Sequence, residues 1–276
     1  MLTRRYLLLG LAGANAGKVI DTHTHFYDPS RTQGVPWPPS TDELLYRTTL
    51  PDQFQQLTRP FNVLGTVVVE ASPLFEDNQW ILDLALQNPI ICGFIGRLDP
   101  TKSEFAGNLA TLSSNRLFRG IRLSEGAIKQ GLESKLFIEN MKLLEDRGMT
   151  LDAIGTSAMF PLVLRLTDRL PKLKVSLNHL PLDGESAALA ELGRRPRVYA
   201  KVSGPFPKTS QLDLLWHTFG TKRLLYGSNW PVSNKQAPYA TVFNTVRDYF
   251  QTKGSAATRN FFYRNSADCY QWIKRR

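Results

Sequence analysis

The sequence predicts a (β/α)8 barrel built as a single domain, with a long loop after the first strand. Three observations carry that expectation: eight short, nearly continuous apolar runs, a near-constant interval between their ends, and amphipathic stretches in the intervals. A continuous apolar run suits a parallel strand buried on both faces, whereas a half-exposed strand alternates. The runs are Lys18 to Thr22, Gly65 to Glu70, Ile90 to Leu98, Phe118 to Leu123, Met149 to Ile154, Leu173 to Asn178, Val198 to Ser203 and Arg223 to Ser228. Taking ends at Glu70, Leu98, Leu123, Ile154, Asn178, Ser203 and Ser228, successive ends lie 24 to 31 residues apart. Each interval holds one crossover helix and two short loops.

The helices follow in the same order. Asp77 to Asn88 places Trp80, Ile81, Leu84 and Ala85 at three-and-four spacing, and Glu133 to Gly148 carries Leu136, Phe137, Asn140, Met141 and Leu144 before a closing glycine. Pro161 to Leu170, Ser186 to Leu192, Leu212 to Phe219 and Tyr239 to Thr252 supply the others. The connection from Phe26 to Asp52 is rich in Pro, Ser and Thr and too long for a simple connector, so it is expected to cover the substrate. Eight such units in about 250 residues favour a closed barrel. A doubly wound open sheet is the alternative, but no GxGxxG or GxxxxGK[ST] follows any run.

Composition narrows the function. With 42% hydrophobic and 21% charged residues in 276, the chain is globular, neither disordered nor collagen-like nor a disulfide scaffold. Cys92 and Cys269 form no CxxC pair. Lys and Arg number 34 against 24 Asp and Glu, a net charge of +10, but the basic residues are scattered along the sequence. They read as a solvated surface, with an anionic substrate as the alternative, and no basic stripe interleaved with aromatics points to nucleic acid. The partner expected is a small molecule.

The N-terminus reads as an export signal. Thr3-Arg4-Arg5 leads into an apolar run ending at Ala14, and Ala14-Asn15-Ala16 has the small-x-small form of a cleavage site. Residues 1–16 are therefore expected to be a twin-arginine-type signal and 17–276 the barrel, periplasmic or secreted, or cytoplasmic if the signal is unused. An ordinary N-terminal helix or extra strand is the alternative. The run is shorter than the roughly 20 residues that span a bilayer, and no later segment qualifies, so no membrane span is expected.

In a barrel of this kind the chemistry lies where the strands end. The first run closes on Asp21-Thr22-His23-Thr24-His25, and two imidazoles two residues apart on extended chain project to one side, where they can share a divalent ion such as zinc. His179 follows the sixth run and completes the candidate metal set. Glu70 and Asp152 are candidate proton acceptors, or else buried ion-pair members. Arg122 and Lys201 are candidate substrate holders, Lys201 being otherwise a buried ion-pair member, and Trp37 and Trp230 are candidate apolar walls or packing residues. Asn229 follows Ser228 at the eighth run. The fourth histidine, His217, lies in a helix and reads as a surface or packing residue.

These residues carry a resemblance. Ile20-Asp21-Thr22-His23-Thr24-His25-Phe26-Tyr27-Asp28-Pro29 resembles the opening of the amidohydrolase-2 family of the amidohydrolase superfamily, in its sugar-lactone and dicarboxylate lactonase branch. Phe118-Arg119-Gly120-Ile121-Arg122, Leu177-Asn178-His179-Leu180, Lys201-Val202-Ser203-Gly204 and the stretch from Arg223 to Val232 follow in that family's order, and the likeness runs from Val19 to Trp272. It implies hydrolysis at a carbonyl by a metal-activated or carboxylate-activated water. His23, His25 and His179 would match metal or substrate-binding positions, and Arg122 a holder of substrate oxygens. One departure matters most. The family usually has an aspartate after Gly-Ser on the eighth strand, where it takes the water's proton, and this chain has Asn229, which cannot act as a general base. The leading expectation is a lactone hydrolase using a metal-bound or positioned water. A decarboxylase on the same scaffold and a non-hydrolytic periplasmic binding protein are the alternatives.

Overall fold

Eight parallel strands follow one another around a barrel in sequence order. They are β1 (Val19–Thr24), β2 (Val63–Val69), β3 (Ile91–Gly96), β4 (Phe118–Ser124), β5 (Thr150–Ile154), β6 (Lys174–Asn178), β7 (Val198–Val202) and β8 (Leu224–Tyr226). The structure is a computed structural model that describes residues 17–180, 186–203 and 209–275, so the expected export signal at 1–16 lies outside the described residues. All eight expected strands are present. β1, β3, β6 and β7 are buried at every position, which is why their apolar runs do not alternate.

Two boundaries move, and both moves shape the site. β1 extends through His23 and Thr24, which polarity alone had placed beyond its end, because these side chains are fully buried. β8 stops at Tyr226, and the seam back to β1 is made by the turn that follows it. Asn229 N donates to His23 O at 2.9 Å and His25 N to Trp230 O at 2.9 Å. Thr22 Oγ1 donates to Tyr226 O at 2.6 Å, and Thr24 bridges Trp230 in parallel.

The outer layer comprises α1 (Pro51–Thr58), α2 (Glu76–Gln87), α3 (Phe105–Ser113), α4 (Glu125–Gly131), α5 (Lys135–Asp146), α6 (Met159–Arg169), α7 (Ala187–Arg194), α8 (Thr209–Phe219), α9 (Tyr239–Thr252), α10 (Ser255–Arg259) and α11 (Asn265–Tyr270). Every amphipathic stretch read from the sequence is a helix, within three residues at each end. Ser124, Ser134 and Ser186 cap α4, α5 and α7 by accepting a backbone N–H of the first turn. α4 is only seven residues long, and α3 carries a short stripe of Phe105, Leu109 and Leu112 that the sequence reading passed over. α11 closes the floor of the barrel: Thr150 Oγ1 donates to Cys269 O at 2.7 Å, and Tyr270 Oη reaches Asp152 Oδ1 at 2.8 Å.

The long first connection carries no helix until α1. Tyr27 and Thr49 clasp its two ends by exchanging backbone hydrogen bonds of 3.0 and 2.9 Å. Ion pairs anchor it across the mouth, Arg31 to Asp77 of α2 at 2.6 Å and Asp42 to Lys235 beyond β8 at 2.5 Å. The Arg31 guanidinium also lies 4.5 Å over the Trp80 ring.

Candidate active site

Asp21 organises the mouth from beneath. Its Oδ1 accepts the backbone N–H of His23 at 3.1 Å and of Ser228 at 2.9 Å, and Tyr239 Oη reaches Oδ2 at 3.3 Å. It has no solvent exposure, and burial pushes its carboxyl up to about 6. One side chain thus joins the end of β1 to the turn after β8. Gly227 in that turn must lack a side chain, since a Cβ there would stand 2.7 Å from His23 Cβ and 3.2 Å from the Lys201 stem.

The two imidazoles of β1 meet as expected from their spacing, with Nε2 atoms 3.2 Å apart. His25 Nδ1 lies 2.9 Å from the Val69 carbonyl, which can only accept, so Nδ1 carries the proton and Nε2 presents a lone pair. The His23 proton then belongs on Nε2, directed at His25, and its buried Nδ1 has no partner. Burial, and then the charge of Lys201, holds His23 well below its ordinary pKa. His25 falls to about 3 through burial and then Arg122. Both are neutral imidazoles at physiological pH.

His179 and Asn229 flank this pair on strained backbone. Both have left-handed φ, 49° and 58°, a conformation that asparagine tolerates better than most residues. The His179 ring lies 4.5 Å from that of His23, and its Nδ1 is 3.2 Å from Ser203 Oγ. The Asn229 side chain lies close enough to His25 to pull against the lowering of its pKa. The structure therefore gathers His23, His25, His179 and Asn229 into one cluster.

The other predicted residues divide. Arg122 is 14% exposed and spends two of its five N–H donors on Glu70, Nε to Oε1 at 2.9 Å and Nη2 to the backbone oxygen at 2.7 Å. Arg97 Nη1 approaches the same Oε1 at 3.7 Å. Asp152 and Lys201 form an ion pair of 2.7 Å with neither side chain exposed. Asp152 also accepts Asn178 Nδ2 at 2.9 Å and Tyr270 Oη at 2.8 Å. Both carboxylate oxygens are engaged, so Asp152 presents no idle oxygen to a water. Trp37 stands half-buried with its ring 5.7 Å from that of His25, whereas Trp230 packs between Phe26 and Phe54 in the core. Sequence reasoning passed over Asp21 and Tyr239 as site residues, because Asp21 sits inside an apolar run and its partners come from the far end of the chain.

A catalytic zinc takes three protein ligands and leaves a fourth position open. Two bonds of about 2.1 Å from the β1 nitrogens to a shared ion would subtend about 100°, which suits a metal. Yet among the described residues no three His, Cys, Asp or Glu groups come together to hold one. A ligating imidazole almost always donates from its other nitrogen. His25 does so to Val69, but His23 Nδ1 has no acceptor. The described donor set does not fit a catalytic zinc.

The buried imidazoles set a pH dependence of stability. Unfolded histidines take up protons below 6.5, but His23 and His25 stay neutral in the fold, so stability is complete above 6.5 and is lost as pH falls toward 3. Asp21 opposes this, because its folded carboxyl binds a proton between about 6 and 3.8 that the unfolded chain does not. Two histidines over a wider interval outweigh one carboxyl. The urea midpoint is expected to fall between pH 7 and pH 4.5, and His25→Gln to flatten that fall. An equally steep fall in the variant would reject this cause.

Comparison with known proteins places the chain among similar ones. The family model described as Amidohydrolase matches residues 20–272. An L-fucono-1,5-lactonase of Burkholderia ambifaria is 29% identical over 234 residues, covering 78% of this chain and 80% of that one. A second L-fucono-1,5-lactonase, from Burkholderia multivorans, is 24% identical over 91% of this chain and 95% of its own. The crystal structure of an amidohydrolase from Burkholderia multivorans with bound zinc superposes with a TM-score of 0.82 at 24% identity, over 93% of this chain and all of that one.

Proposed function

The chain belongs to the amidohydrolase family and is a hydrolase, and on that premise we propose that it opens a small sugar-derived lactone at the barrel mouth. The observation that carries this reading is the cluster of the His23, His25 and His179 rings within the field of Arg122, which sets polar groups around a carbonyl and its neighbouring hydroxyls. The names of the two Burkholderia relatives support the choice of lactone. In this reading Arg122 and the His179 ring hold the carbonyl oxygen as it gains charge, while His23 donates to His25 and fixes that ring. Asn229 and His25 orient the attacking water, and Trp37 lies against the sugar ring.

No group at the Asn229 position can take the water's proton, so deprotonation is the slow event. The proton passes to bulk water as the new C–O bond forms, while the ester C–O bond breaks and its leaving oxygen takes a proton from solvent. Asn229→Asp keeps the left-handed backbone and restores a carboxylate there. It is expected to raise kcat for L-fucono-1,5-lactone at pH 8 by roughly 10²-fold, the lower end of what a positioned base contributes, with KM little changed. Proton release followed with an indicator measures both, with and without prior dialysis against a chelator, which is expected to leave the rate within about twofold. A wild type that binds the lactone without turnover, and gains none from Asn229→Asp, would favour the binding-protein reading raised by Asn229. Export through residues 1–16 is a separate proposal, tested by the N-terminal sequence of the exported chain, with Gly17 as the expected start.

A further inference from the structure

The basic residues that are scattered in sequence are sorted by the fold. A residue just before a parallel strand lies at the N-terminal end of the barrel, opposite the mouth. Arg116 and Arg119 stand at the start of β4, Lys174 opens β6, Arg197 precedes β7, and Lys222 and Arg223 precede β8. Their contacts confirm a shared face. Arg119 donates to Arg116 O at 3.1 Å and Tyr270 O at 2.9 Å, Lys174 to Asp268 O at 2.9 Å, and Arg223 to Arg195 O at 2.9 Å and Gly193 O at 2.5 Å.

Each of those acceptors is a backbone carbonyl, so the side chains are held without being neutralised. Among the described residues none of the six pairs with a carboxylate within 4.0 Å. The neighbouring Arg194 and Arg195 are matched by Glu191 and Asp168, and Asp268 is the acid that faces Lys174. The crowding is visible in Lys174, whose pKa is lowered by burial and then by Arg197 and Arg119 against the opposing pull of Cys269 and Asp268.

We infer that the N-terminal face of the barrel docks on an anionic phospholipid surface. The patch is drawn from the turns before β4, β6, β7 and β8, so it is broad rather than a track for one strand. Its flanking aromatics are tied into the floor, Tyr199 buried and Tyr263 and Trp272 half-buried against it, whereas single-stranded nucleic acid is held by stacking on exposed aromatics. Among the described residues no helix is long and apolar enough to cross a membrane, so attachment is peripheral. Lys and Arg near an anionic leaflet each add attraction that fades within a Debye length. Docking by this face leaves the mouth, at the other end of the strands, open to solvent.

Vesicle sedimentation tests this. The protein is expected to pellet with phosphatidylcholine vesicles containing phosphatidylglycerol at about 0.05 M salt, and not at about 0.5 M salt or with phosphatidylcholine alone. The exposed-site variant R116E/R197E/K222E should bind at least about tenfold more weakly with an unchanged circular dichroism spectrum. Reversal of three exposed mouth-side residues, R47E/K102E/K129E, should leave binding intact. No pelleting of the wild type, equal loss in both variants, or a preference for a short DNA duplex over the vesicles would overturn the inference.

Discussion

Arg122→Met is expected to lower kcat/KM for lactone opening about a thousandfold, the upper end of what loss of one donor to a developing oxyanion costs. Met matches the length of the stem but removes the guanidinium that meets Glu70 at 2.9 Å. The fall should appear mainly in kcat, because the donor acts on charge that develops in the transition state. Arg122→Lys should recover little, since an ammonium cannot reproduce the fork that grips both Oε1 and the backbone oxygen of Glu70. Glu70 is 8% exposed and retains Arg97 at 3.7 Å, so the fold should persist. Steady-state kinetics with a thermal unfolding control checks this, and a loss below about tenfold would remove Arg122 from the reacting end of the substrate.

Lys201→Met is expected to destabilise the barrel by about 3–5 kcal/mol, because it leaves the Asp152 carboxylate buried without its cation. Neither side chain is exposed, so water cannot take the place of the lost partner. Combining Lys201→Met with Asp152→Asn should recover most of the loss, since the amide keeps one acceptor among Asn178 and Tyr270 and carries no charge to strand. Urea unfolding of the two single variants and the double closes the cycle. Additive effects would show that Lys201 acts through packing and not through this pair.

The barrel was legible because burial on both faces leaves a signal that needs no knowledge of neighbours. His23, His25, Arg122 and His179 were legible for a related reason, as polar residues at the ends of apolar runs. What escaped depended on partners distant in sequence. Asp152 could be read as a proton acceptor or as a buried ion-pair member, and only its partners Lys201 and Tyr270, the latter 118 residues away, decide for the second. Trp230 could be read as an apolar wall or as a packing residue, and the turn after a strand only three residues long sends its ring toward Phe54, the packing role. Asp21 gave no sign because its partners are chiefly backbone N–H groups, one of them 207 positions away. The basic floor was invisible because it is assembled from separate turns.

The join between the first and last strands has a further consequence. His23, His25 and Asn229 contribute their side chains to the proposed catalytic cluster and fasten the barrel with their main chains. An ordinary enzyme can lose a peripheral strand and keep a working pocket, but here the rivets of the cylinder and the tools inside it are the same residues. Partial unfolding that starts at this join abolishes catalysis at its first step, so turnover counts intact cylinders, and selection for a working pocket acts at once as selection for a closed one.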